Sequence, residues 1–169
     1  MKKIALILAV TMTLSLFAGC GSKTTLTAPK GSTEELIGKI YENVTVNLDL
    51  ITIAVDIQDP DALAYYTGLS GAEGVQEITV SEPVISVQAY SLVLVRLKDA
   101  RQAETIAQTM FDNIDMRKWI SVEATEKQAV VCGDLVMLVM LNPEYGTTTD
   151  QIVEAFTKVC GGTVGTVIQ

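Results

Sequence analysis

Histidine is missing from all 169 residues, and that absence removes whole classes of chemistry. A Ser-His-Asp or Cys-His nucleophile system, an HExxH zinc protease and any His-ligated metal centre all need an imidazole. Positive charge is also scarce, with 12 Lys and Arg against 20 Asp and Glu and a formal net charge of −8. The densest basic cluster, Arg96, Lys98 and Arg101, is interrupted by Asp99, so no polybasic patch is on offer to nucleic acid or anionic lipid head groups. Aromatic residues make up 5% of the chain, with a single tryptophan, and there are three cysteines. The N-terminal apolar run, Ile4 to Phe17, is 14 residues long and broken by Thr11, Thr13 and Ser15, short of the about 20 residues a spanning helix needs.

What that run has instead is the grammar of an export signal. Lys2 and Lys3 precede it, and it stops at the small residues Ala18-Gly19 before Cys20, giving a charged start, an apolar middle and a small-residue exit. The segment resembles the leader of a bacterial lipoprotein, whose cysteine is lipidated and becomes the mature N-terminus. The position usually held by Leu, three before the cysteine, is Phe17 here, with Leu16 one further back. The alternatives are an ordinary cleaved signal with an incidental cysteine, or a buried N-terminal helix. Each buried lipid CH₂ contributes about 0.8 kcal/mol, and two acyl chains hold where one is marginal, so a diacylglyceryl group on Cys20 is expected to keep the protein at the cell membrane on its extracytoplasmic face. Loss of Lys2 and Lys3 with the leader takes the charge from −8 to −10. Residues 1–19 are thus expected as signal peptide, 20–31 as a flexible Gly-, Thr- and Pro-containing tether, and 32–169 as one domain.

Helix starts in that domain are well punctuated. Ser32 with Glu35 makes a capping box, ahead of Leu36, Ile37, Ile40 and Tyr41 at helical spacing, with the helix expected to end near Asn43. Val44, Val46, Leu48 and Leu50 then alternate with polar residues, which predicts an extended segment. Asp59-Pro60 starts a short helix that Gly68 stops. A strand through Gln76, Ile78 and Val80 and an apolar strand from Tyr90 to Leu97 follow. Asp99 is expected to cap a helix with Ala103, Ile106, Ala107, Met110, Phe111 and Ile114 at spacings of three and four. Ala129–Cys132 and Leu135–Leu141 form a hairpin about Gly133-Asp134, and Thr148 with Gln151 caps a last helix. The expected fold is α+β: a β-β-α-β-β-α core preceded by N-terminal helices, with an antiparallel or mixed sheet of four to five strands. Leu92–Val95 and Leu135–Leu141, apolar on both faces, should be its central strands.

The chain is similar to a family of short bacterial lipoproteins whose domain has no assigned function. The likeness rests on Asp61–Gly68, on Val87-Gln88-Ala89 followed by Leu92–Asp99, and on Lys118-Trp119-Ile120 followed by Gly133–Met140, and it spans Ser32 to Val159. Family members often carry acidic residues after the alanine matching Ala89, whereas this chain has Tyr90-Ser91, so no acidic site is transferred there. The resemblance implies Gram-positive-type lipid anchoring and no assigned activity.

Chemistry-bearing residues are sparse. Asp56, Asp59 and Asp61 bunch three carboxylates, yet the loop glycine and terminal Glu of a Ca²⁺ loop are missing, and no metal or cofactor is expected. The Gly161–Gly165 stretch follows a helix instead of joining a strand to one, unlike a phosphate loop. Trp119, Tyr65 and Tyr66 are candidate ligand contacts, with core packing as the competing role. Asp134 and Glu144 are the pair to examine for glycoside chemistry, which needs carboxyls about 5 to 9.5 Å apart. Cys132 and Cys160 sit in apolar settings as buried thiols, or as one disulfide if they meet. The reading that follows is a membrane-tethered, non-enzymatic module for an envelope protein, peptide or cell-wall partner, and not for nucleic acid. A carboxylate-based hydrolase of envelope polymers is the alternative.

Overall fold

The computed structural model describes residues 26–169; the leader, Cys20 and the first part of the expected tether lie outside them. In chain order the elements are α1 (Thr33–Tyr41), β1 (Leu50–Ala54), α2 (Pro60–Thr67), β2 (Val75–Pro83), β3 (Tyr90–Leu97), α3 (Ala103–Asn113), β4 (Glu126–Cys132), β5 (Leu135–Leu141), α4 (Thr149–Val159) and β6 (Val167–Ile168). The fold is α+β, with four helices and one open antiparallel sheet in the order β1-β2-β3-β5-β4-β6. Six strands replace the expected four to five, because the chain after α4 returns to pair Val167 and Ile168 with β4. Among the described residues, no helix is long and apolar enough to cross a membrane.

β3 and β5 occupy the centre, and their continuous apolar sequence follows from burial on both faces. Val93, Val95, Val136 and Leu138 belong to one core with α2, α3 and the segment after α3; Leu92, Leu94, Leu135 and Met137 belong to the other with α1 and α4. Helices therefore cover both faces of the sheet. Each such side chain fully removed from water contributes about 1.5–3 kcal/mol.

Local chemistry sets the helix ends. The Ser32/Glu35 and Thr148/Gln151 capping boxes both form, satisfying backbone donors that a helix start leaves free. Asp59 caps α2 through Asp61 N–H and Ala62 N–H, and Gly68 closes it at φ +74°. Asp99 caps a single 3₁₀ turn, Ala100–Gln102, that leads into α3 instead of capping α3 itself. The alternation from Val44 to Leu50 is real in burial, with Val44, Val46 and Leu48 half-buried between exposed neighbours. Only Leu50 of that run enters a strand, however, because the ladder with β2 begins at Leu50↔Pro83 and continues to Ala54↔Thr79.

Candidate functional site

The sheet has two poles, set by the ends of β3 and β5. At one, where β3 finishes and β5 begins, Arg96 lies largely buried with 11% side-chain exposure. Its Nη1 donates to both Asp134 carboxylate oxygens at 3.0 and 3.1 Å, and its Nη2 donates to the carbonyls of Pro29 and Gly31 at 3.1 and 3.0 Å. Glu77 closes the cluster, 3.4 Å from Arg96 Nε and accepting from Thr33 N–H at 3.1 Å. A bidentate guanidinium is suited to holding a carboxylate and two carbonyls in one fixed fork. Gly133, at φ +60° in the β4–β5 turn, completes the seat: a Cβ there would stand 2.5 Å from Ala28 N and 2.8 Å from Leu26 O. Residues 26–31, the end of the expected tether, form a strap along this pole, with the carbonyls of Pro29 and Gly31 on the Arg96 fork and the backbone of Leu26 and Ala28 against the bare Gly133.

The opposite pole gathers the β2–β3 loop, the segment between α3 and β4, and the chain from Val44 to Asp49. Here the three aromatic candidates meet. The Lys118 ammonium lies 4.8 Å from the Tyr65 ring centre, 5.2 Å from that of Tyr66 and 5.4 Å from that of Trp119, within the range of attraction between a cation and an aromatic face. The same ammonium is 2.5 Å from Glu82 Oε1 and 3.3 Å from Ser91 Oγ. Glu82 Oε1 is buried and has no well-angled hydrogen-bond donor, so its attraction to Lys118 is Coulombic more than directional. Burial pushes the Lys118 amine below its usual range, and the Glu82 carboxylate partly restores it. Burial also raises the Tyr65 and Tyr66 phenols, with the Glu82 charge adding to it.

This cage is filled by its own lysine, whose side chain is 2% exposed. Trp119 is 6% exposed with its indole N–H unpartnered, and it belongs to the core cluster that also holds Ala124 and Ile114, the packing role that competes with ligand contact. Tyr66 is half-buried against that core, and Tyr65 alone, at 44% exposure, keeps an open ring edge. Glu82 and Lys118 were missed by sequence reasoning. The available signal was parity: Ile78, Val80 and Glu82 share one face of β2, and a carboxylate in phase with core residues calls for a cation.

Beside the cage the surface turns apolar. Val84, Ile85, Val87 and Ile120 are 65%, 53%, 50% and 64% exposed, and Ile120 N–H donates to Ser86 O at 2.9 Å, which joins the two loops into one patch. Clustered exposure of this kind marks a contact surface, unlike single apolar side chains scattered over a protein. An open groove of about 670 Å³ runs between Val46–Asp49 on one wall and Val84, Ile85 and Gln88 on the other.

The remaining candidates stay apart. Asp134 is engaged by Arg96 at the strap pole, while Glu144 follows β5 at the other; seven residues of strand between them span about 24 Å, far beyond a glycosidase pair. Asp59 and Asp56 spend carboxylate oxygens on backbone N–H groups, and among the described residues no group of three acidic or thiol side chains is placed to hold a metal ion. Cys132 and Cys160 are both free and belong to the same core, that of α1 and α4. Compared with family models, curated proteins and solved structures, the chain matches none.

Proposed function

We propose that this is a membrane-tethered extracytoplasmic lipoprotein whose domain is a non-enzymatic binding module for an envelope protein, a peptide or cell-wall material, engaged through the pole opposite the tether. The observation that carries this reading is the separation of the two poles. The strap enters at the Arg96 pole, and the exposed apolar patch of Val84, Ile85, Val87 and Ile120 lies at the other. Six residue steps from Cys20 to Leu26 reach about 20 Å at most, so a lipid on Cys20 keeps the Arg96 pole near the bilayer and turns the apolar patch outward. The net charge of −8, or −10 without the leader, opposes adsorption of the domain onto anionic head groups. The carboxylate-hydrolase alternative has no comparable support, since Asp134 and Glu144 sit at opposite poles.

The test is site-specific photocrosslinking in intact cells. A crosslinker at Val87 is expected to yield discrete protein or wall adducts, and one at Lys30 lipid adducts. Lipid adducts alone at Val87 would sink the orientation and the module with it. Cys20→Ser is expected to abolish lipid labelling and release the protein into the medium; unchanged labelling refutes the anchor.

A further inference from the structure

The groove at the outer pole runs directly into β1, an edge of the sheet. We infer that the outer edge of β1 accepts an extended, positively charged segment of a partner protein, which adds to the sheet as a seventh strand. The inference rests on the binding-module reading and names the chemistry of the partner.

The register defines what the edge offers. Ile51 pairs with Glu82 and Ile53 with Val80, while Val84 N–H donates to Asp49 O and Val55 N–H to Ile78 O. In an antiparallel ladder the hydrogen-bonded residues alternate. Asp49, Ile51, Ile53 and Val55 therefore turn their backbone groups to β2, and Leu50, Thr52 and Ala54 turn theirs outward. Among the described residues those outward N–H and C=O groups have no partner strand, because β1 pairs there with β2 alone. The other edge of the sheet, β6, is only two residues long.

Edges this open are usually blunted by lysine, proline or a bulge. β1 reads Leu-Ile-Thr-Ile-Ala and has none of these. Its Ile51 and Ile53 are 51% and 38% exposed, offering apolar contact to alternate side chains of an added strand, which is how strand-addition sites combine backbone affinity with side-chain selection.

Charge selects the occupant. Between Lys39 and Arg96 there is no Lys or Arg and there are eight Asp and Glu; Glu77 and Glu82 are paired with Arg96 and Lys118, which leaves six, and the stretch contains β1, α2 and β2, with Asp49 and Asp56 flanking the strand itself. A second copy brought edge to edge would set two such acidic surfaces together, and an anionic lipid surface meets the same repulsion. A segment alternating apolar and basic residues is attracted along its whole length.

The experiment uses the full mature chain carrying Cys20→Ser, with a capped heptapeptide alternating lysine and valine and its glutamate-valine counterpart as probes. Backbone NMR with hydrogen exchange is expected to show the lysine peptide shifting and protecting the amides of Leu50, Thr52 and Ala54, with affinity falling as salt rises. Thr52→Pro removes an N–H that faces solvent, a place where an edge strand tolerates proline; it should lower affinity about tenfold or more through the lost hydrogen bond and the ring's steric block, with the fold intact. Should that variant unfold, Asp49→Asn with Asp56→Asn serves instead, and is expected to weaken binding and flatten its salt dependence. The inference is overturned if no β1 amide responds, if the glutamate peptide protects β1 equally, if both sets of variants bind as wild type, or if β1 becomes protected with protein concentration alone, the mark of a second copy. Shifts confined to Val84–Gln88 would refute the edge site while leaving the outer-pole module standing.

Discussion

Lys118 and Glu82 form an ion pair of 2.5 Å at side-chain exposures of 2% and 15%, tying the segment after α3 to the end of β2. Removing one partner strands the other in a poorly solvated site, at a cost of about 3–5 kcal/mol. Lys118→Ala and Glu82→Ala should each lower stability on that scale, and the double variant should lose much less than the sum. A double-mutant cycle by chemical denaturation measures this, and strictly additive losses would show that the pair is not coupled. Lys118→Met, which fills the space among the three rings without charge, should still be destabilising while Glu82 is present and recover with Glu82→Leu.

Arg96 is expected to be the latch of the N-terminal strap. Arg96→Lys keeps the charge but cannot serve Asp134 and the carbonyls of Pro29 and Gly31 from one rigid fork. Residues 26–31 should then exchange amide hydrogens faster and become open to proteases, while the sheet remains folded. Gly133→Ala attacks the same seat from the other side. A non-glycine residue at φ +60° costs about 1–2 kcal/mol, and its Cβ also displaces backbone at Ala28 and Leu26. Limited proteolysis of both variants decides it; a strap as resistant as in wild type would mean that other contacts hold it.

The local grammar of the fold was legible, and its long-range register was not. Ser32 with Glu35, Thr148 with Gln151, and Asp59-Pro60 with Gly68 act over three or four residues, so type and spacing suffice to read them. The centrality of β3 and β5 was legible for a different reason, since burial on both faces erases the alternation that exposed strands show. The start of β1 was not legible, because Val44, Val46 and Leu48 alternate as a strand does and yet the ladder begins only at Leu50. The Lys118–Glu82 pair was hidden because it joins residues 36 positions apart through the packing of a loop. Tyr65, Tyr66 and Trp119 were legible as single aromatic residues, but that they gather around the Lys118 ammonium was not.

Alkaline stability should fall above about pH 10, the ordinary range of a tyrosine phenol. Tyr41, Tyr65, Tyr66 and Tyr90 all have phenols raised above that value, each chiefly by burial, with Tyr90 raised most strongly. A raised folded-state pKa means that the native protein holds protons the unfolded chain releases. The stabilising contribution is therefore complete below the unfolded value and is lost as pH climbs through the folded ones. Lys118 and Cys132 act in the opposite sense, because their lowered pKa values let the folded state shed a proton first, but with Cys160 also raised they are two groups against five. Tyrosinate absorbance followed with denaturant midpoints from pH 8 to 12 tests the sign; a midpoint that rises through this window would contradict it.

Cys132 and Cys160 should close to a disulfide under mild oxidation, stapling the end of β4 to the end of α4. The two thiols shift one another, Cys132 down and Cys160 up, so Cys132 is the sulfur that ionises first. Cys132 is fully buried and Cys160 partly so, which makes Cys160 the sulfur an external reagent meets. With oxidised glutathione, attack gives a mixed disulfide and one glutathione; the second thiolate then displaces the other, and the protein loses two hydrogens overall. Closing a loop of about 30 residues contributes on the order of 3–4 kcal/mol in the chain-entropy picture, so the oxidised form should unfold at higher denaturant. Intact mass and denaturation curves read both steps. Persistent glutathione on Cys160 with Cys132 reduced would show that the two sulfurs cannot reach bonding geometry, and Cys160→Ser should leave Cys132 slow to react with any alkylating agent in the folded protein.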